Sequence, residues 1–241
     1  MKVFILATCL KRERINGTLL VFPSLRVGFP TAEIHVYGNS LDTYAATLVA
    51  HAARLCGATF SNILPMPHGA WIEDLLRKES DPFWICDTDV TFSAAVEHWF
   101  EPESSSLFAG RYEPDFFEKW TQSCHVSRLH PSLMWFNPRP LRAAIRAWPG
   151  KHPFFGSVER VLIRWTFVPA PHTLYFYDTC AGLHHALGGT PFTAEQNACF
   201  HHTFAGTYAH LLGATEAEAQ AHQELCAAAS VKPLANLTAP H

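Results

Sequence analysis

Phe83-Trp84-Ile85-Cys86-Asp87-Thr88-Asp89 is the stretch on which the reading of this chain turns. Four apolar residues in a row, set off by the Asp81-Pro82 break before them, read as a buried strand. That strand runs straight into two carboxylates one residue apart. Burying such a pair without compensation is costly, and a hard divalent cation removes the cost. Mg²⁺ or Mn²⁺ takes oxygen ligands and binds through one or two carboxylates together with a substrate's phosphates. The plainer use of Asp87 and Asp89 is to cap the following segment, because Asp is common at helix starts and in turns.

Working back toward the N-terminus, strands and helices alternate. Val3 to Ala7 is a short apolar run that reads as a first strand, followed by a polar loop and a helix around Leu19-Leu20-Val21. Ala32 to Tyr37 alternates and ends in the turn-forming Gly38-Asn39-Ser40, a second strand. From Asp42 to Leu55, Ala45, Leu48, Val49, Ala52 and Leu55 recur at helical spacing and Gly57 is a natural stop. Ala58 to Ile63 is a weak third strand, and His68 to Lys78 is helical with Trp71, Ile72, Leu75 and Leu76 on one side. Such alternation predicts βαβ units and a mixed, mainly parallel sheet flanked by helices, an α/β, Rossmann-type class. Ligands of such sheets bind beyond the carboxyl ends of the strands, where Thr8, Asn39, Ser40, Asp87 and Asp89 fall.

Beyond Phe100 prolines become frequent and aromatic residues cluster, around Phe116-Phe117, Trp120, Trp135-Phe136 and Phe154-Phe155. Leu107 to Tyr112 and Ser132 to Phe136 read as strands, and Pro140 to Trp148 as a helix opened by its proline. Phe176 to Leu187 is expected to open another helix around Asp178, and Thr215 to Ser230 has good helix propensity. The expected organisation is one domain over 1–241, with a ligand-binding half at 1–100, a C-terminal elaboration at 101–215, and a helix and tail at 216–241.

Apolar residues make up 48% and charged residues 16% of the 241, enough for a core and too little charge for disorder. A net charge of -3 argues against a dominant nucleic-acid or anionic-membrane footprint. Seven cysteines, odd in number and without a Cys-x-x-Cys pair, point to a reduced, cytoplasmic setting. The N-terminal apolar run is too short for a signal peptide, and no window offers the ~20 apolar residues of a membrane span.

The strand entering Asp87-Thr88-Asp89 resembles the glycosyltransferase A-type (GT-A) fold, in which an Asp-x-Asp motif binds a metal and a nucleotide-sugar, as in family 2-like enzymes. Tyr37-Gly38-Asn39-Ser40-Leu41-Asp42 looks like a degenerate version of that family's base-contacting turn, with Gly38 in place of an acidic residue. Phe200-His201-His202-Thr203-Phe204-Ala205-Gly206-Thr207 resembles its metal-completing His-x-x-x-Gly segment, with His202 favoured over His201 by the spacing to Gly206. The resemblance implies a metal-dependent transferase that moves a sugar from a nucleoside diphosphate, UDP favoured, to an acceptor hydroxyl, with inversion preferred; in a retaining enzyme Asp178 would position substrate instead. Mn²⁺ or Mg²⁺ would sit on Asp87, Asp89 and His202. Thr8, Arg12, Asn39, Ser40, Asp87, Thr88 and Arg111 are the expected donor contacts, and Asp178 the general base, its plainer use being a helix N-cap. Arg12, Arg14 and Arg111 suit phosphate oxygens, although solvated arginines are commoner. The acceptor is left open among a glycan, a lipid-linked glycan, a protein and a modified nucleobase.

Two other chemistries share these residues. Asp87-Thr88-Asp89-Val90-Thr91 after an apolar run also looks like the nucleophile motif of a haloacid-dehalogenase-like, Mg²⁺-dependent phosphatase with Asp87 attacking phosphorus. That family needs a downstream acidic pair, and after Asp89 only Asp115 and Asp178 remain among aspartates, without a paired motif. Cys180, His184, His185, Cys199, His201 and His202 are zinc-type ligands in one region, but their spacing matches no finger or ribbon.

Overall fold

The computed structural model describes residues 1–9, 15–118, 123–149, 154–156, 160–161, 174–176 and 178–203. Arg12, Arg14, Trp120, Gly206 and the expected helix from Thr215 to Ser230 lie outside them. In chain order the first elements are β1 (Lys2–Ala7), α1 (Ile15–Thr18), α2 (Leu25–Gly28), β2 (Glu33–Asn39), α3 (Thr43–Leu55), β3 (Thr59–Ile63) and α4 (His68–Lys78). Then come β4 (Phe83–Asp87), β5 (Val90–Phe92), β6 (Phe108–Glu113), β7 (Phe116–Glu118), β8 (Ser123–His125), β9 (Arg128–Phe136) and α5 (Pro138–Ala147). The last are β10 (Arg160–Val161), β11 (Leu174–Phe176), α6 (Ala181–Leu187), β12 (Thr190–Pro191), α7 (Ala194–Asn197) and β13 (Phe200–His202). They form two compact units, one of Met1–Met66, Phe83–Glu103 and residues 193–203, the other of Pro67–Pro82 and Ser104–Phe192.

In the first unit β4, β1, β2 and β3 lie side by side in that order, all parallel. The register sets Leu6 beside both Tyr37 and Asp87, so the carboxyl ends of three strands share one rim. β1 is buried from Val3 onward, as a strand covered on both faces must be. α3 is capped as its sequence predicts: the Asp42 carboxylate accepts the Ala45 N–H at 2.8 Å, and Gly57 turns the chain out at φ 65°. Leu55, counted into its apolar stripe, is instead exposed at the last turn. The helix expected after β1 is divided into α1, a 3₁₀ turn at Phe22–Ser24 and α2, because Gly17 and Pro23 break the run.

Two side chains carry more of this unit than their positions announce. The Arg26 guanidinium donates to four carbonyls, those of Phe29, Ala32, Cys56 and Gly57, tying α2 to the end of α3. Glu97, buried, takes the Thr31 N–H at 2.9 Å and the Thr31 hydroxyl at 2.6 Å. Burial alone would raise the Glu97 carboxyl, but the Thr31 bonds, the nearby His98 and the Ala32 N–H outweigh it and hold it below its ordinary 4.5. A depressed carboxyl contributes stability that is whole above pH 4.5 and fades as the pH falls toward its folded value. Glu97→Gln is therefore expected to flatten the acid limb of melting temperature against pH. Equal acid limbs in the two proteins would reject the role.

The second unit holds the mixed part of the sheet system. β6 and β9 pair antiparallel with a shift between Gly110 and Arg111, and β12 joins β6 in parallel. β9 is buried throughout, which places Trp135 in the core. A separate sheet runs β10-β11-β8-β7. α4 spans the predicted residues with Trp71, Ile72, Leu75 and Leu76 buried, and α5 starts two residues early, on Pro138. Phe176 ends a strand where a helix was expected; α6 begins only at Ala181, after Cys180 takes a left-handed φ of 66°. The α/β class with mixed, mainly parallel strands and flanking helices is what the chain adopts.

Candidate metal centre

β4 delivers Asp87 as its last residue, and the chain turns through Thr88 and Asp89 into β5. The turn is pinned at Thr88, which is buried and whose carbonyl accepts the Val21 N–H at 2.8 Å. β5 pairs antiparallel with β13, setting His202 opposite Val90. Thr203 then donates both its N–H and its hydroxyl to the Asp89 carbonyl, each at 3.0 Å. These main-chain ties bring His202 Nε2 to 3.2 Å from Asp89 Oδ1, with both side chains almost wholly buried. His201 alternates to the exposed side.

One ligand atom each from Asp87, Asp89 and His202 lie within 4.8 Å of one another, the one such trio of His, Cys, Asp or Glu among the described residues. Ligands about 2.1 Å from an octahedral ion stand about 3.0 Å apart when adjacent and about 4.2 Å when opposite. The 3.2 Å between His202 and Asp89 matches an adjacent pair, so the trio fits a divalent cation after small adjustment. Two carboxylates this close repel by roughly 3 kcal/mol at an effective dielectric constant of 20, which a cation would reverse. Their field also reaches the strand behind them: burial first, then the charges of Asp87 and Asp89, push the Cys86 thiol well above its ordinary range. No trio forms among Cys180, His184, His185, Cys199, His201 and His202 in the described residues, so they give no zinc site there. The third group around the two aspartates is an imidazole, not the carboxylate pair a phosphatase of the haloacid-dehalogenase kind requires.

The rim beside this centre is built from clamps. The Asn39 amide donates to the Met66 carbonyl and accepts the Met66 N–H, both at 2.9 Å. Asn62 does the same for Leu41, at 2.9 and 3.1 Å. A β-carbon on Gly38 would come within 2.6 Å of the Asn62 amide oxygen and 2.9 Å of Leu41, so the acidic residue expected from the resemblance has no room there. Ser40 follows with a left-handed φ of 56°, its N–H donating to the Ile63 carbonyl at 3.0 Å. The Thr8 carbonyl accepts the Thr18 hydroxyl at 2.8 Å.

Arg111 and Asp178 belong to the second unit. Arg111 follows the β6 irregularity and is half-buried. Asp178 caps no helix with its side chain: Oδ2 accepts from Arg128 Nη1 at 2.7 Å and Oδ1 accepts the Thr179 N–H at 2.7 Å. Glu113 and Arg128, which complete this group, and Thr203 carry no sequence signal of their own.

No protein-family model matches the chain, and no curated protein does. Several solved structures align with part of the chain at low identity. A glycosyltransferase, GlyE, of Streptococcus pneumoniae TIGR4 aligns over 60% of this chain and 36% of its own, with 8% identity and a TM-score of 0.40. A galactosyltransferase, LgtC, solved with donor and acceptor sugar analogs, aligns over 59% of this chain and 60% of its own, with 10% identity and a TM-score of 0.41. A putative glucose-1-phosphate thymidylyltransferase from Bacillus anthracis aligns over 62% and 76%, with 10% identity and a TM-score of 0.40. The chain thus spans less than two thirds of the first two, and its function rests on the geometry of its own site. Among the described residues no helix is long and apolar enough to cross a membrane.

Proposed function

We propose that the chain is a metal-dependent glycosyltransferase that moves a sugar from a nucleoside diphosphate to an acceptor hydroxyl with inversion. The observation that carries this reading is the convergence of Asp87, Asp89 and His202 at the carboxyl rim of a parallel sheet, where open α/β sheets bind nucleotides. When bound, the cation supplies Lewis-acid stabilisation of the leaving diphosphate. The imidazole ligand favours Mn²⁺ over Mg²⁺, which prefers an all-oxygen shell.

The remaining roles belong to the chain itself. Thr8, Asn39, Ser40 and Thr88 shape the donor rim, with Asn39 acting through the Met66 clamp, and Arg12 and Arg111 are assigned to phosphate oxygens. Asp178 takes the proton of the acceptor hydroxyl as that oxygen bonds to the anomeric carbon; the bond from that carbon to the diphosphate breaks, and its electron pair leaves with the phosphate. Among the described residues each Asp178 oxygen accepts one bond, which leaves each a second lone pair for this purpose. UDP is the favoured nucleotide, and Cys9, Cys56, Cys86, Cys180 and Cys199, which form no disulfide, accord with a reduced, cytoplasmic setting.

A thermal-shift screen of UDP, GDP, TDP and CDP, each with and without Mn²⁺, tests the reading. At a hundred times its dissociation constant a ligand adds about 2.7 kcal/mol, which in a domain of this size raises the melting temperature by roughly 5 to 11 °C. One nucleotide is expected to give such a shift only with Mn²⁺, and the matching nucleotide-sugars then to release it on turnover. Absence of any metal-dependent nucleotide shift rejects the proposal, and pyrophosphate release from a nucleoside triphosphate and a sugar phosphate would reassign the chain to nucleotidyl transfer.

A further inference from the structure

The second unit contains a buried charge cluster whose make-up is odd for a structural staple. Arg128 of β9, its side chain 5% exposed, sends Nε to Glu113 Oε2 and Nη1 to Asp178 Oδ2, each at 2.7 Å. Nη1 also reaches the Thr179 carbonyl at 3.4 Å. Three separate places in the chain thus meet on one guanidinium: the end of β6, the start of β9 and the turn before α6.

Among the described residues, one arginine facing two carboxylates leaves an excess negative charge, on side chains only 17% exposed. A pair whose sole task was to hold the fold would be cheaper if neutral, since a partly buried surplus charge is unfavourable. A second costly feature sits two residues on, where buried Cys180 holds a left-handed backbone that costs a non-glycine residue about 1 kcal/mol or more. That turn is closed by the Ala181 N–H on the Asp178 carbonyl at 2.9 Å, so the strain orients Asp178 itself. Surplus charge and strained backbone concentrated on one carboxylate are the pattern of a prepared functional group.

We infer that Arg128 and Glu113 are positioning residues for Asp178. Arg128 fixes the direction of the Asp178 carboxylate. Glu113 occupies the Nε edge of the guanidinium, so that the cluster as a whole stays negative where a proton has to be accepted. With Asp178 alone the pair would be neutral. This inference rests on the reading of Asp178 as the base that receives the acceptor proton.

The test uses Glu113→Gln and Glu113→Asp in the full chain, with water as acceptor and the donor that the nucleotide screen ranks first. Glu113→Gln keeps an oxygen for Arg128 but removes the charge. Its kcat is expected to fall at least tenfold, with donor KM and the Mn²⁺-dependent nucleotide shift within twofold of wild type. Glu113→Asp keeps the charge and is expected to recover most of that loss. A folded Glu113→Gln protein with kcat within twofold of wild type overturns the positioning role, as does a Glu113→Asp protein as slow as Glu113→Gln. Should Glu113→Gln not fold, Glu113→Asp decides alone, a kcat within fivefold of wild type supporting the role and a larger loss overturning it. Failure of wild type to bind any nucleotide with Mn²⁺ overturns the transferase reading and this inference together, whereas normal nucleotide binding with an indifferent Glu113 overturns only the latter.

Discussion

Replacing Asp89 by Ala is expected to cut donor turnover by about a thousandfold while the protein still folds. A cation's charge stabilisation at a developing anion is worth several kcal/mol, and about 4 kcal/mol corresponds to that factor. The fold should survive because Thr203 is bound to the Asp89 carbonyl through both its N–H and its hydroxyl, and a main-chain carbonyl is retained in Ala. Removing one of two crowded carboxylates also relieves repulsion in the metal-free protein. Titration calorimetry with Mn²⁺ alone should show the loss before any substrate is added. Wild-type affinity for the ion, or unchanged turnover, in this variant would remove Asp89 from the centre.

Arg128→Ala is expected to cost the protein much of its stability. It removes the guanidinium that Glu113 and Asp178, both mostly buried, each meet at 2.7 Å, and takes a donor from the Thr179 carbonyl. Breaking a buried pair by removing one partner costs about 3 to 5 kcal/mol. For a chain of this length that lowers the melting temperature by roughly 6 to 20 °C. Arg128→Lys should fall between, since a single ammonium cannot present two forked edges to two carboxylates. Urea denaturation at neutral pH checks the order, and a midpoint for Arg128→Ala equal to wild type would show that solvent already reaches the cluster.

What the sequence made legible follows from the range over which each signal acts. α4 and the α3 cap were readable because helical periodicity and an Asp N-cap are complete within a few residues. The Asp-x-Asp rim was readable because burial of β4 and the position of Asp87 at its end are also local. β5 and β13 are three residues each, too short for periodicity to distinguish from loop, and each exists only through the other. In the sequence only the spacing to Gly206 singles out His202, whereas the geometry that brings it to Asp89 is the antiparallel register of that pair. Asp178 was read against a helix start; its partners Arg128 and Glu113 lie 50 and 65 residues away in sequence, and only the fold brings them together. The absent acid at Gly38 has a cause of the same kind, the Asn62 side chain arriving from the next strand.

The tie between Asp89 and Thr203 spans 114 positions of the chain. At ribosomal rates of about 5 to 20 residues per second, the aspartates therefore wait roughly 6 to 23 seconds for the imidazole to be synthesised. Throughout that interval the nascent polypeptide carries the two acids without the imidazole, so the three candidate ligands come together only late in synthesis.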